Sequence, residues 1–267
     1  WEQLLSITNN NTMNTQQTLE NMRHMRLYGM HDAYQAAVNS NKTNDLTHDQ
    51  LVAQLVQHEL EDRSLRKLER LVKAAKFRYK AHLEEVIFSP DRGLDSQTIY
   101  RLSEGNYIPK AENILITGST GAGKSYLACA LGQQACLLGY SVLYFNTSRL
   151  MTQLKMDKAT GHYLRKINRL QRTDVLILDD YGLQVLDKDA RTIFMDLIED
   201  RYQRKSCIIA SQLPVNKWYD IIGESTHADA IMDRIMHHHH RITIEGESMR
   251  RKKTEEPSDV NPLNPNP

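Results

Sequence analysis

The sequence has no excess of either charge and no long hydrophobic run. It contains 34 lysines and arginines against 33 aspartates and glutamates, a formal net charge of +1. Any affinity for nucleic acid must therefore come from a local basic patch rather than from the whole chain. No stretch approaches the roughly 18 apolar residues of a membrane-spanning helix, and the amino terminus lacks the layout of a secretory signal. We expect a cytoplasmic protein with no membrane partner.

Cysteine is scarce, and its spacing excludes the usual zinc modules. The three cysteines, Cys129, Cys136 and Cys207, form no CxxC pair. This favours a reducing compartment and buried thiols. The run His237–His240 has no nearby cysteine, and consecutive imidazoles point in different directions on either a helix or a strand. We expect that run to connect a helix to a strand rather than to bind a metal.

Both ends of the chain are polar. Residues 1–12 are rich in asparagine and precede Met13, so we expect a tag or upstream remnant there and the natural start at Met13. Residues 254–267 have no apolar period and contain four of the seven prolines. Such a segment cannot bury enough apolar surface to order itself, which predicts a disordered tail.

Hydrophobic periodicity predicts a small all-helical domain at residues 13–90. Over residues 18–86 the apolar side chains recur at three- and four-residue spacing, which fits three or four helices. A loop is predicted at 89–93 and a short helix near Ser96–Leu102.

From Asn113 onward the pattern changes to short apolar runs that alternate with helical stretches. The predicted strands are Ile114–Thr117, Val142–Phe145, Val175–Leu178, Cys207–Ala210 and Ile242–Ile244. This alternation predicts an α/β core with a five-stranded parallel sheet that is covered on both faces, at residues 91–253. Too few residues follow the last predicted strand to build a helical lid.

A phosphate-binding loop follows the first predicted strand and precedes a predicted helix. The segment GSTGAGKS over residues 118–125 matches GxxxxGK[ST], and its flanks make an incidental glycine-rich turn a poor alternative. Its backbone N–H groups would bind phosphates at a helix amino terminus, Lys124 would reach the β- and γ-phosphates, and Ser125 would bind Mg²⁺. The predicted ATP contacts are Gly118, Ser119, Thr120, Gly121, Ala122, Gly123, Lys124, Ser125 and Tyr126.

Two carboxylates, Asp179 and Asp180, end the third predicted strand. Ionised groups at the end of a buried strand need a cation or hydrogen-bond partners. Asp179 therefore fits the Walker B role as a magnesium ligand, and Asp180 is placed to polarise the attacking water. A pair that merely caps the strand is the alternative.

These motifs resemble the AAA+ class of P-loop ATPases, and the resemblance implies two further site residues. Gln212, after the fourth predicted strand, matches the position of a polar sensor, although a polar strand end is the alternative. Arg234, shortly before the last strand, matches an arginine finger that enters the ATP site of a neighbouring subunit. Arg201 and Arg250 are rival candidates, and an intrahelical salt bridge of Arg234 is the other alternative.

Over about Met13 to Lys253 the chain resembles the IstB-like helper ATPases of transposition, relatives of DnaC-type helicase loaders. The segments KAAKFRYKAHLEE, SQLPVNKW and GESMRRK are specific to this resemblance, whereas the central motifs are shared with the loaders. The resemblance implies a nucleoid-associated homo-oligomer with ATP sites at its subunit interfaces. It also implies binding to duplex target DNA and to a cognate transposase.

A basic stretch in the helical domain supports the DNA partner. Between Glu61 and Lys80, lysines and arginines outnumber acidic residues, which predicts a basic helical face suited to phosphate contacts. A solvated helix face is the alternative. The candidate DNA contacts are Arg70, Lys73, Lys76, Arg78 and Lys80.

Two other functions remain open. A helicase loader would use its amino-terminal domain for protein contact rather than for duplex DNA. A small-molecule P-loop kinase fits less well, because neither a lid nor an acceptor-binding insert is evident.

Overall fold

A computed structural model describes residues 14–40 and 46–246. The predicted remnant at 1–12, Met13, Arg250 and the predicted tail at 254–267 lie outside these residues. The chain divides into two compact units between Arg70 and Leu71, some way before the boundary expected at residue 90.

The first unit is helical, as predicted. Its elements are α1 (residues 14–24), α2 (Tyr28–Asn39) and the first part of α3 (His48–Ala75). Glu59 of α3 is buried and accepts hydrogen bonds from the Met30 N–H (3.2 Å) and from Arg63 Nε (2.7 Å). Burial alone would raise the pKa of Glu59, but these donors hold it below its usual value. The carboxylate therefore joins the start of α2 to α3 as a charged acceptor.

The second unit is a parallel sheet with helices around it. Its strands are β1 (Asn113–Gly118), β2 (Val142–Asn146), β3 (Val175–Tyr181), β4 (Ser206–Ser211) and β5 (His239–Ile244). Its helices are α4 (Ser96–Ser103), α5 (Lys124–Leu137), α6 (Thr147–Ala159), α7 (Tyr163–Arg172), α8 (Lys188–Arg201), α9 (Trp218–Ile222) and α10 (Ser225–Met236). All five predicted strands are confirmed, and the short helix predicted near residue 96 is α4.

The strand order is β2-β3-β4-β1-β5, with every neighbouring pair parallel. The interiors of β1, β3 and β4 are fully buried, which explains their continuous apolar runs. Because these three strands are adjacent, the segments that follow them meet at one edge of the sheet. The P-loop, the two carboxylates and Gln212 are those segments.

An aromatic cluster lies beneath that edge. The ring of Tyr181, the last residue of β3, lies 5.5 Å from Phe194 and 4.8 Å from Trp218, measured between ring centroids. The Trp218 Nε1–H donates to the Leu213 carbonyl (3.1 Å). The cluster fixes the carboxyl end of β3 against α8 and α9.

The predicted helical pattern to residue 86 is wrong beyond Ala75. α3 ends there, and Lys76 adopts the left-handed conformation (φ +57°). After it, the ring of Phe77 packs against α5 at Gly132, where an added Cβ would lie 2.7 Å from Phe77 Cε1. Lys76, Arg78 and Lys80 are therefore not on a helical face, because this long-range contact replaces the next turn of helix.

The structure confirms that the cysteines are buried thiols and that the histidine run leads from a helix into a strand. All three cysteines are free and buried, and burial raises the pKa of Cys129 to about 11 and that of Cys136 to about 12. In residues 14–40 and 46–246 no cluster of histidine, cysteine and acidic residues could hold a metal by itself. The histidine run leads from α10 into β5, which begins at His239 rather than at Ile242. Within the same ranges, every helix is too short or too polar to cross a membrane.

Candidate functional site

The P-loop joins β1 to α5 in the strand–loop–helix setting that the motif requires. Gly118 has φ +154°, and an added Cβ would lie 2.2 Å from the Ile244 carbonyl oxygen, so β5 leaves no room for a side chain there. Gly123 precedes α5 with φ +99° and provides no side-chain cap. A helix amino terminus without a side-chain cap is suited to bind an anion.

Lys124 and Ser125 begin α5 and lie at the centre of the site. Lys124 is buried, and its Nζ donates to the Ser119 carbonyl oxygen (2.8 Å). Ser125 Oγ donates to Asp179 Oδ1 (2.9 Å). The structure thus brings together the serine and the aspartate that the sequence predicts as magnesium ligands.

A β-bulge places both carboxylates at the site edge. Leu178 pairs with Ile209 and Tyr181 pairs with Ser211, so β3 has one residue more than β4 in this interval. Asp180, within the bulge, has φ +55°, an uncommon conformation that aspartate tolerates better than most side chains. The bulge breaks the usual alternation of the strand, and the two consecutive carboxylates reach the same space.

Asp179 is almost fully buried, and its oxygens are held by hydroxyl groups. Besides the bond from Ser125 to Oδ1, the Tyr144 hydroxyl donates to Oδ2. Burial, together with this hydrogen bond, raises the pKa of Tyr144, so the phenol stays protonated and acts as the donor. The two hydrogen bonds therefore fix the orientation of the Asp179 carboxylate, one at each oxygen.

Asp180 is more accessible than Asp179, and its carboxylate has two partners, one an amide and the other a guanidinium. Its Oδ2 accepts from Asn146 Nδ2 (2.9 Å) and from Arg78 Nη1 (3.3 Å), and the same Arg78 nitrogen lies 3.8 Å from Asp179 Oδ2. Neither Asn146 nor Arg78 was identified from the sequence as a residue of the nucleotide site. Asn146 had a usable signal, since it ends a strand next to β3, whereas Arg78 was interpreted as a DNA contact.

Gln212 lies where the sequence predicts it. The Thr120 hydroxyl in the P-loop donates to Gln212 Oε1 (2.7 Å), so this side chain contacts the phosphate-binding loop directly. The neighbouring Ser211 is fully buried and donates to the Tyr181 carbonyl oxygen (2.7 Å), which is a structural contact. The sensor role of Gln212 stays a prediction.

Two further contacts support the P-loop from the segment before β1. Arg92 is buried, and its Nη2 donates to the Ala122 carbonyl oxygen (2.5 Å). The Tyr126 hydroxyl donates to the Glu85 carboxylate. Arg92 ends a short 3-10 helix (Pro90–Arg92), and it was missed because a buried arginine there has no local sequence signal.

The two described arginine-finger candidates differ in availability. Arg201 is buried, and its guanidinium donates to backbone carbonyls that include those of Thr173 (2.9 Å) and Ser206 (2.6 Å), so it is not available to another subunit. Arg234 is partly exposed, with an ion pair to Glu199 of α8 and a hydrogen bond to the Ala230 carbonyl oxygen (2.7 Å). The intrahelical aspartate pairing considered from the sequence does not occur.

The predicted DNA contacts have exposed side chains. These residues are Arg70, Lys73, Lys76, Arg78 and Lys80. Only Arg78 among them also reaches the Walker B carboxylates. Its predicted DNA role therefore has to be considered together with a contact inside the nucleotide site.

The donor set of the site fits ATP with magnesium. Mg²⁺ prefers oxygen ligands and usually binds one or two carboxylates together with substrate phosphates and water. The Ser125 hydroxyl and the Asp179 carboxylate supply such oxygens, beside the uncapped amino terminus of α5. Lys124 supplies positive charge at the same terminus.

Comparison with known proteins identifies relatives along most of the chain. Residues 20–257 match the family described as IstB-like ATP binding protein. A putative insertion sequence ATP-binding protein of Sinorhizobium fredii is 41% identical over 236 residues, covering 88% of this chain and 96% of that protein. The putative ATP-binding protein of insertion sequence IS1162 from Pseudomonas fluorescens is 41% identical over 203 residues, covering 76% of this chain and 88% of that protein.

Solved structures show the same fold at lower identity. The DnaC helicase loader superposes with a TM-score of 0.56 at 22% identity, covering 64% of this chain and all of that one. AMPPCP-bound DnaA from Aquifex aeolicus has a TM-score of 0.55 at 24% identity, covering 67% of this chain and 54% of that one. The family match over residues 20–257 leads to one assignment: the chain belongs to the IstB-like ATP binding protein family, and its P-loop core has the fold of these DnaC and DnaA structures.

Proposed function

We propose that this chain is a magnesium-dependent ATPase that oligomerises on duplex target DNA and recruits or stimulates a transposase, acting in the cytoplasm on nucleoid DNA. The observation that carries the proposal is an assembled nucleotide site in a chain whose relatives are ATP-binding proteins of insertion sequences. Residues 13–90 are proposed to carry DNA binding and oligomerisation, and residues 91–253 the ATPase.

The site residues divide the chemistry of hydrolysis to ADP and phosphate among them. Lys124 and the amino terminus of α5 bind the phosphates, and Ser125 and Asp179 hold Mg²⁺, which would neutralise developing charge on the phosphoryl group. Asp180 polarises the attacking water, with Asn146 and the bulge fixing its carboxylate. Gln212 acts as the polar sensor of the γ-phosphate and is positioned by its hydrogen bond with the P-loop.

Replacing Asp180 with asparagine should slow hydrolysis while ATP and magnesium binding stay close to wild type. The substitution keeps the shape of the side chain and removes the charge that polarises water, a contribution of about 100-fold or more in rate. Steady-state ATPase rates and nucleotide titrations measure the two effects separately. An unchanged hydrolysis rate would show that the base lies elsewhere.

The position of Arg234 relative to its own P-loop supports the proposed oligomerisation. Asn113 Nδ2, at the start of β1, donates to the Ile235 carbonyl oxygen (3.1 Å), so this part of α10 lies at the amino edge of the sheet. The P-loop lies at the opposite edge, beyond the six residues of β1, a separation of about 20 Å. If Arg234 acts on ATP, the ATP must be bound by a neighbouring subunit.

DNA binding is proposed for the exposed cations of residues 70–80. Lys76→Gln together with Lys80→Gln should weaken binding about equally on unrelated duplex sequences, because phosphate contacts carry no base information. The log–log salt slope should fall by roughly one unit for each phosphate that the variant no longer neutralises. Arg78 is left out because its guanidinium also lies at the Walker B carboxylates.

Gel shifts across a salt series provide the measurement for this double variant, with Lys158→Gln on α6 as the control for removal of a surface charge. We expect the control to bind duplex DNA with the wild-type affinity and the wild-type dependence on salt concentration. If the double variant also behaves like wild type, residues 70–80 are better explained as part of a docking surface for a partner protein, as in a helicase loader.

A further inference from the structure

The residues that follow α3 are fixed on the P-loop helix. Besides the contact of Phe77 with Gly132, the ring of Tyr79 lies 6.4 Å from that of Tyr126, between centroids, and Ala81 is fully buried. We call residues 76–82 the docking segment. Because the docking segment contacts α5 at several points along its length, the position of its backbone is tied to that of the P-loop helix.

Arg78 extends from the docking segment to both Walker B carboxylates. Its Nη1 lies 3.3 Å from Asp180 Oδ2 and 3.8 Å from Asp179 Oδ2. The side chain is nevertheless 42% exposed. Ion pairs of side chains this exposed contribute little free energy, so the guanidinium can leave the carboxylates at a small cost.

We propose that Arg78 is a positioning residue that couples the magnesium site to DNA. In the absence of Mg²⁺ and nucleotide, its guanidinium neutralises Asp179 and Asp180. When Asp179 binds magnesium with nucleotide, Arg78 is released and binds a DNA phosphate. The DNA half of this inference rests on the proposed function, whereas the magnesium half does not.

The charges of the site support a competition. Asp179 is the predicted magnesium ligand, and a guanidinium 3.8 Å from its Oδ2 repels a second cation at the same carboxylate. The paired Arg78 guanidinium stabilises the magnesium-free state, because Mg²⁺ can bind only after the ion pair is broken. The pairing therefore lowers the affinity of the site for magnesium.

The neighbours of Arg78 support DNA as the second partner of its guanidinium. Lys76 and Lys80 are exposed on either side of it, and both are proposed phosphate contacts. A DNA backbone held by these two lysines would pass close to the released guanidinium. Arginine binds phosphate through paired hydrogen bonds, which makes a phosphate a strong competitor for the carboxylates.

The magnesium half is tested by binding without DNA. In full-length protein, the Mg²⁺ concentration that half-saturates binding of a fluorescent non-hydrolysable ATP analogue is measured for wild type, Arg78→Gln and Arg78→Lys. We expect Arg78→Gln to lower this concentration about threefold or more, within the range of partly exposed ion pairs, and Arg78→Lys to stay nearer to wild type.

Arg204→Gln is the matched control for this titration. Arg204 is exposed in the turn before β4, at the amino edge of the sheet, so its removal should leave the magnesium titration unchanged. Thermal unfolding of each variant checks that it is folded. An unchanged or raised half-saturating concentration in folded Arg78→Gln overturns the proposal, and a raised value would mean that Arg78 assists nucleotide binding.

The DNA half is tested by the ratio of duplex DNA affinities with and without Mg²⁺ and the ATP analogue. The proposal makes this ratio depend on Arg78, so Arg78→Gln should reduce it, at most by the factor by which the substitution lowers the half-saturating Mg²⁺ concentration. Lys76→Gln should weaken DNA binding in both states and keep the ratio. A wild-type ratio in Arg78→Gln overturns the coupling alone, whereas failure of the wild-type protein to bind duplex DNA contradicts the proposed function.

Discussion

Replacing Lys124 with alanine is expected to abolish ATP binding, and with it assembly on DNA. Lys124 is buried at the amino terminus of α5, and its ammonium is the charge that would reach two phosphates. Hydrogen bonds to charged groups contribute about 1.5–3 kcal/mol each, so removing two of them predicts a decrease in affinity of about 100-fold or more. Fluorescent nucleotide titration and sedimentation with duplex DNA measure the two consequences.

Lys110→Ala provides the control for this variant. Lys110 is exposed and lies before the first residue of β1, at the edge of the sheet opposite the P-loop. We expect its removal to leave the nucleotide affinity unchanged. If Lys124→Ala is folded and binds nucleotide as tightly as wild type, the P-loop assignment is contradicted.

Replacing Arg234 with alanine is expected to reduce ATPase activity about 1000-fold, the lower range for an arginine finger, while an isolated subunit still binds ATP. The finger would act on a γ-phosphate held by another subunit, so its removal affects turnover but not the P-loop of its own chain. The matched control is Glu199→Gln, which removes the ion pair with Arg234 and keeps the arginine. This control should retain ATPase activity if the ion pair between Arg234 and Glu199 has no part in hydrolysis.

Mixing the Arg234→Ala and Lys124→Ala proteins tests whether the site is shared. Neither protein alone is expected to hydrolyse ATP. In mixed assemblies, an intact Arg234 from one subunit can meet an intact P-loop of the next, and some activity should return. If the subunits mix without any return of activity, Arg234 serves the Glu199 contact within its own chain rather than catalysis.

Much of the fold and the centre of the site follow from the sequence. The strands β1, β3 and β4 are buried on both faces and therefore appear as continuous apolar runs. The P-loop is recognisable because its glycines, lysine and serine act through local geometry that the motif itself specifies. The pairing of Ser125 with Asp179 follows once both segments are placed at one edge of a parallel sheet.

The end of α3 was not predictable from its own residues. Ala75 is followed by Lys76 rather than by the glycine that usually takes the left-handed conformation after a helix. The helix stops because Phe77 packs against a helix far along the chain, and no local pattern encodes that contact.

The contact of Arg78 with the nucleotide site was missed for the same reason. Its basic neighbours predict a phosphate contact, which stays a prediction, whereas its position at the Walker B carboxylates depends on how the docking segment packs. The bulge at Asp180 likewise depends on how β3 pairs with β4, which the sequence of β3 alone does not specify.

The most direct test of the account measures assembly of the purified wild-type protein on duplex DNA by analytical ultracentrifugation, with no other protein present. With Mg²⁺ and a non-hydrolysable ATP analogue, we predict complexes that contain several subunits on one duplex. Without nucleotide, or with Lys124→Ala, these complexes should not form. Protein that binds the analogue yet stays monomeric and free of duplex DNA would contradict the account.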